Sequence, residues 1–199
     1  MYTDSIKKAI QVERDAISEL LDHYASQYEQ ICELMMACEG KIVFIGVGKS
    51  GHIGKKLAAT FSSTGTPSFF VHATEAVHGD LGMIEAKDIA VLISNSGNTS
   101  EIINTIPTLN RIGCITIAFT SGQDSELAKQ CKYRILYPKL TEADHLKLAP
   151  TTSSTLTLVV GDAIACALSE AKSFESKDFL LYHPAGSLGK KLKEEVKES

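Results

Sequence analysis

The chain has 199 residues, of which 44% are hydrophobic, so it carries enough apolar surface for one sizeable core and is neither disordered nor fibrous. Lys and Arg number 20 against 24 Asp and Glu, a net charge of -4 with no long basic run, which argues against a nucleic-acid partner. The N-terminus is charged throughout, and no run approaches the ~20 apolar residues of a membrane span, so a cytoplasmic protein with no membrane partner is expected.

Residues 4–38 place Ile6, Ile10, Ile17, Leu20, Leu21, Tyr24, Tyr28, Ile31 and Leu34 at three- and four-residue steps, which predicts a bent amphipathic helix or a helical hairpin. After Gly40 the period changes. The runs 41–46 (KIVFIG), 68–72 (SFFVH), 89–94 (IAVLIS), 114–119 (CITIAF) and 133–138 (YRILYP) are continuously apolar, as strands buried on both faces of a parallel sheet must be. The segments between them are long enough for crossover helices, and the one after Thr99 is expected to stop at Gly113. A mostly apolar block, 155–174, predicts a last long helix packed on the sheet or against another subunit. The expected fold is α/β: a doubly wound, mainly five-stranded parallel sheet flanked by helices, with an N-terminal helical extension. One domain is expected over 1–199, with a helical segment at 1–39, a core at 40–192 and a charged tail at 193–199. Cys32, Cys38, Cys114, Cys131 and Cys166 are scattered and never form a CxxC pair, which predicts reduced, mostly buried thiols.

Ligands of open parallel sheets gather at the C-terminal ends of the strands, so the residues after each strand are the candidates. In "IGVGKSGHIG" (45–54), Gly46, Gly48 and Gly51 match G-x-G-x-x-G, yet the next strand ends in Val71-His72-Ala73 and lacks the acid that a dinucleotide's ribose needs. A triphosphate loop fails too, because Val43 stands where its first glycine belongs. After the third strand, "SNSGNTSE" (94–101) groups hydroxyls around Gly97 directly before a helix. Free N–H groups and short hydroxyl side chains in that setting bind one phosphate monoester without a metal. Gly48, Ser50, Ser94, Ser96, Gly97 and Thr99 are therefore the phosphate candidates. Thr151 and Ser153, in the hydroxyl run after Pro150, either line a sugar or begin the last long helix. His52, His72, His78, His145 and His183 show no metal-ligand spacing, so no metal and no other cofactor is expected, although an adventitious divalent ion there would inhibit.

The stretch Ser94-Asn95-Ser96-Gly97-Asn98-Thr99 resembles the phosphosugar-binding signature of the sugar isomerase (SIS) family. More narrowly, the blocks at 46–72, 75–83 (EAVHGDLGM), 148–163 (LAPTTSSTLTLVVGDA) and 183–192 (HPAGSLGKKL), in that order, resemble the D-arabinose 5-phosphate isomerases over residues 4–192. The resemblance implies interconversion of D-ribulose 5-phosphate and D-arabinose 5-phosphate through an enediol, with no redox cofactor and no obligatory metal. It also implies a place in 3-deoxy-D-manno-octulosonate (Kdo) synthesis for lipopolysaccharide or a capsule in a Gram-negative bacterium.

Matched to the family motif, the catalytic side chains fall on Lys49, His78, Glu101, Glu142 and His183. Lys49 would offset phosphate or enediolate charge, and either Glu142 or His183 would abstract the C2 proton. His78 would polarise a substrate oxygen or help open a furanose ring, unless it is a structural histidine held by Asp80. Glu101, in the first turn of a helix, suits capping as well as catalysis. A homotetramer is implied, with contacts through the N-terminal helices and the 155–174 block and with one histidine entering a neighbour's site. Much of the family continues into paired CBS domains, whereas this chain ends ten residues after Gly189, so a stand-alone form is expected, inhibited by CMP-Kdo in the substrate crevice. Asn98 stands where the family often has an acid, which bears on how the sugar's far hydroxyls are read. Two rival readings are a 3-hexulose 6-phosphate isomerase, disfavoured by HGDLGM and LAPTTSST, and a non-catalytic phosphosugar-binding regulator, disfavoured by intact Lys49, Glu142 and His183.

Overall fold

Five short apolar runs can be buried on both faces only if helices cover both sides of the sheet they form. The computed structural model, which describes residues 2–185, shows that arrangement. Helices α1 (Tyr2–His23) and α2 (Glu29–Met36) flank a 3-10 turn and precede β1 (Ile42–Gly46), α3 (Gly48–Ser63), β2 (Ser68–His72) and α4 (Ala73–Ala76). A second 3-10 turn (Asp80–Met83) leads to β3 (Ile89–Ile93), α5 (Ser100–Ile103), α6 (Ile106–Ile112), β4 (Ile115–Thr120), α7 (Glu126–Gln130) and β5 (Tyr133–Leu136). The long α8 (Thr152–Ala171) and the short α9 (Ser176–Tyr182) complete the described residues. The HPAG block beyond Ala185 and the 193–199 tail lie outside them.

All strand pairs are parallel, in the order β2-β1-β3-β4-β5. Alternation along each strand divides the core into two layers. Ile42, Phe44, Val91, Ile93 and Phe119 face α1, α2, α3 and α8, where Leu57, Phe61, Leu156 and Val160 meet them. Val43, Ile45, Ala90, Leu92 and Ala118 face the other side, against Ala73, Ile102, Ile106, Leu109 and Leu127 of the shorter helices. Every predicted strand is present within two residues of its expected ends.

The helices differ from expectation in three places. The N-terminal segment is helical as expected but interrupted, since a 3-10 turn (Ala25–Tyr28) separates α1 from α2, and both pack on α8. The crossover after β3 breaks at Asn104-Thr105, because Pro107 has no N–H for the carbonyl of Ile103 and its ring crowds that turn. Its stop is as expected, with Gly113 left-handed at φ 87°. The last long helix starts at Thr152, three residues early, since Glu142 caps its N-terminus from a distant loop. By length and composition α8 is apolar enough to cross a membrane, but half of it is buried as the core helix under α1, α2 and α3. The five cysteines are free; only Cys114 and Cys131 are buried, and burial pushes their thiols up to about 11 and about 12.

One buried acid sets the approach of β1 to β3. Asp88, 1% exposed, accepts the Lys41 N–H at 2.7 Å and the Glu85 N–H at 2.8 Å, so one carboxylate ties the start of β1 to the turn before β3. A Cβ on Gly40 would collide with that carboxylate. Asp88→Ala is expected to lower unfolding free energy by about 3 kcal/mol in a urea titration, from two charge-assisted bonds and the N–H groups left unpaired. A loss below about 1 kcal/mol would contradict this role.

Candidate active site

In the order 2-1-3-4-5, the crossovers leave β1 and β3 toward opposite faces, and a crevice opens between their C-terminal ends. The first wall is the turn from β1 into α3. A Cβ on Gly46 would stand 2.9 Å from Gly51 N and Cα, so only glycine lets the helix begin hard against the strand. Gly48 takes φ 57°, and Val47 at the N-cap has no side-chain oxygen, so the first N–H groups of α3 stay uncapped beside Lys49 and Ser50.

The second wall is the loop after β3, which folds around its own hydroxyls. Ser94 Oγ, on a residue 3% exposed, accepts the Gly97 N–H at 3.1 Å and lies 2.8 Å from Thr99 Oγ1. Ser96 Oγ accepts the Asn98 N–H at 3.2 Å. Gly97 has φ 66°, and a Cβ there would collide with Ser125 Oγ. Asn98 is turned outward: its Oδ1 accepts the Glu126 N–H at 3.1 Å and caps α7. The result is a small concave loop of hydroxyls and backbone N–H groups leading into α5, in which the loop's own serines hold the Gly97 and Asn98 N–H groups.

The start of α8 closes the crevice. Pro150, Ser153, Ser154 and Thr157 face Lys49, Ser50, Asn95, Ser96 and Thr99 across a cavity of about 300 Å³, with Val47 and Ile53 as its apolar part. Lys49 is the one titratable side chain in this wall among the described residues. Chemically, the arrangement suits a compact dianion with a short polyhydroxyl tail: N–H groups and hydroxyls for the anion, one ammonium nearby and, among the described residues, no carboxylate in the wall.

Residues 35–167 match the SIS domain. The chain belongs to the SIS domain family. It is 47% identical over 191 residues to the arabinose 5-phosphate isomerase KdsD of Pseudomonas aeruginosa, covering 96% of this chain and 59% of that protein. It is 48% identical over 186 residues to the arabinose 5-phosphate isomerase KdsD of Escherichia coli K12, covering 94% and 57%. The chain thus spans a little under three fifths of the length of these curated relatives. Protein c3406 of Escherichia coli CFT073, solved in complex with arabinose 5-phosphate, is 54% identical with a TM-score of 0.88, over 90% of this chain and 95% of that one. The doubly wound α/β fold and the resemblance carried by the SNSGNT signature are borne out at the family level.

Within this SIS domain the crevice brings together Lys49, Ser50, Ser96, Thr99 and Ser153, with Gly48 and Gly97 shaping the two turns. Other candidates stand elsewhere. Ser94 is buried and occupied in holding the loop. Thr151 donates its hydroxyl to Glu142 Oε2 at 3.1 Å and accepts the Ala143 N–H at 2.8 Å. Glu142 itself is enclosed by donors: Oε2 accepts from Thr151 N, Thr151 Oγ1 and Ser153 N, and Oε1 from Ser153 Oγ. It caps α8 and does not line the crevice. Glu101 is exposed at the start of α5, where its own backbone N–H and the Ser100 hydroxyl hold its carboxyl below the usual range.

His78 is exposed after α4, at the same end of the sheet but outside the crevice wall, and among the described residues no bond to Asp80 holds it. His183 lies at the other end, where its Nδ1 is 3.0 Å from the Phe179 carbonyl and its ring stacks on Phe179 beside Ser62, Ser63 and Gly65. Two crevice residues escaped the sequence reading. Asn95 sits between the signature serines, and Thr157 lies one helical turn beyond Ser153, a spacing that puts both on one face of α8. Among the described residues, no three potential metal ligands gather.

Gly97→Ala tests the nest. The left-handed backbone alone costs about 1–2 kcal/mol, and the collision with Ser125 forces the loop open. A lower melting temperature together with loss of inorganic phosphate binding in calorimetry is expected; unchanged phosphate binding would contradict the nest.

Proposed function

We propose that this SIS domain is an aldose-ketose isomerase interconverting D-ribulose 5-phosphate and D-arabinose 5-phosphate through an enediol, in the cytoplasm, on the route to Kdo. The observation that carries the reading is the crevice itself: an anion nest at the switch point with Lys49 as its single charged side chain among the described residues. The names of the relatives agree with it, since two are arabinose 5-phosphate isomerases and a third was solved with arabinose 5-phosphate bound.

In this reading the phosphate sits on the N–H groups and hydroxyls of Ser96 to Thr99, with Ser50 opposite, and the carbon chain runs toward Lys49 and Ser153. A base removes the proton on C2 of the aldose and charge moves to O1; passage of the O2 proton to O1 and return of the abstracted proton to C1 then give the ketose. Lys49 stabilises the enediolate oxygens by its charge. The base is harder to supply. Glu142 has its oxygens engaged by four donors, and the crevice wall holds no carboxylate or imidazole of its own among the described residues.

The base then comes from a second copy of the chain, in a homotetramer whose neighbour brings His183 to the crevice. Tyr2, Ile6 and Ile10, 84%, 59% and 64% exposed, form an apolar stripe along α1, and Ala163, Cys166 and Ala167 leave a small-residue face on α8 uncovered. These surfaces support an oligomer built through α1 and α8. The same reading makes CMP-Kdo a competitive inhibitor, since it presents an anion and sugar hydroxyls to the same crevice.

Incubation with D-arabinose 5-phosphate and a chelator in deuterated buffer, followed by NMR, should show ribulose 5-phosphate, with deuterium at its C1 and at C2 of the recovered aldose. Lys49→Ala should slow turnover by about 100-fold or more. Sugar-phosphate binding without turnover or exchange would replace the isomerase with a phosphosugar-binding regulator. Lys49→Ala and His183→Ala chains, each inactive alone, should recover activity when mixed and allowed to exchange subunits. No recovery would place both residues in one subunit's site.

A further inference from the structure

The two oxygens of Glu142 are used unequally. Oε2 accepts the Thr151 N–H at 2.8 Å, the Thr151 hydroxyl at 3.1 Å and the Ser153 N–H at 3.2 Å, which fixes the carboxylate against the start of α8. Oε1 takes one donor among the described residues, the Ser153 hydroxyl, at 2.5 Å. Holding the loop to the helix end accounts for the bonds on Oε2, which take up backbone N–H groups that no turn of α8 can satisfy. It does not account for the bond on Oε1, whose donor is a side chain of the crevice wall.

Ser153 thus belongs to two places at once. It lines the crevice with Lys49, Asn95 and Ser96, and it bonds a carboxylate that does not. A hydroxyl has one proton and two acceptor positions. The Ser153 proton lies on the bond to Oε1, and among the described residues no donor takes up the acceptor positions, so they remain for a hydroxyl of the bound molecule. Isomerisation moves one proton from C2 to C1 and a second from O2 to O1. Lys49 offers charge to those oxygens, but an ammonium has no acceptor position with which to take the second proton.

We propose that Ser153 is a catalytic hydroxyl that carries the O2 proton to O1, with Oε1 of Glu142 holding a proton in transit. Once the C2 proton is gone and charge lies on O1, the O2–H bond breaks as a new Oγ–H bond forms, and the proton that Ser153 held passes to Oε1. Both substrate oxygens are then charged beside the Lys49 ammonium. Oε1 returns its proton to Oγ, Oγ gives one to O1, and protonation of C1 moves the double bond from C1–C2 to C2–O2. Ser153 and Glu142 end as they began, and no proton is gained or lost. The donors on Oε2 stay in place throughout, so the carboxylate stores a proton without leaving the helix end. The relay rests on the isomerase reading above, and Glu142 acts only through Ser153.

Initial rates with D-arabinose 5-phosphate in deuterated buffer, read by NMR, separate the two proton transfers. Deuterium at C2 of the recovered aldose reports removal of the carbon proton, and ketose reports completion. Ser153→Ala should slow ketose formation about 100-fold while C2 exchange falls by no more than about threefold, so that the ratio of exchange to ketose rises at least about tenfold. Glu142→Gln keeps an oxygen for the donors on Oε2 and sets an amide N–H against Ser153 Oγ, and should raise the ratio in the same way. Ser153→Thr keeps the hydroxyl and should keep the wild-type ratio. A weakened helix end or a smaller folded fraction, followed by the melt of each variant, lowers both rates together and leaves the ratio alone. An unchanged ratio in Ser153→Ala and Glu142→Gln would therefore overturn the relay and leave Glu142 as a cap, with the isomerase reading intact if the wild type turns over. A wild type that gives neither ketose nor exchange would end that reading and the relay with it.

Discussion

The parallel pairing of β1 with β3 at the centre of the sheet, Ile42 to Ile45 against Ile89 to Leu92, is the constraint from which the site follows. The chain leaves β1 toward the face of α3 and α8, and leaves β3 toward the face of α5 and α6. Two loops that begin side by side therefore part at once and leave a gap that no backbone fills. Asp88 holds the lower ends of the two strands together, while Gly46, Gly51 and Gly97 let the upper loops bend without side chains in the way.

The polar residues around the gap divide their work in a way that keeps it receptive to an anion. Carboxylates and amides are turned to the scaffold: Glu142 caps α8, Asn98 caps α7, and Asp144 gathers the N–H groups of Leu146, Leu148 and Ala149. Desolvation works against the Asp144 carboxyl, but these three donors outweigh it and hold the group below its usual range. Among the described residues, the polar side chains that line the crevice are those of serines and threonines, Asn95 and Lys49. An acid in that wall would repel a dianionic phosphate at short range. The same separation explains why one chain offers so little to move a proton, and why the proposed base comes from a neighbouring copy.

Much of the fold was legible because burial on both faces leaves a plain mark: runs such as Ile89 to Ile93 have no polar position to interrupt them. The break between α5 and α6 was missed: Pro107 marks it, but the apolar spacing around it reads as one helix. At the site, the two glycine turns and the hydroxyls of Ser50, Ser96, Thr99 and Ser153 could be read locally, since each owes its place to the few residues around it. Asn95 could not, because its side-chain partners Ser121 and Tyr137 come from after β4 and β5. Glu142 carries two readings for a related reason. Its family match marks it as chemistry, while its bonds to Thr151 and Ser153 show a cap reaching back from a loop, which no periodicity announces. Ser94 belongs to the signature, yet its burial turns the hydroxyl inward to Gly97 and Thr99.

The measurement that bears on all of this at once is a crystal structure of the protein with D-arabinose 5-phosphate bound. The phosphate is expected on the loop from Ser96 to Thr99, with the carbon chain between Lys49 and Ser153. A phosphate seated away from that loop, for example beside Ser62 and Gly65 at the opposite end of the sheet, would contradict the anion nest and the isomerase site built on it.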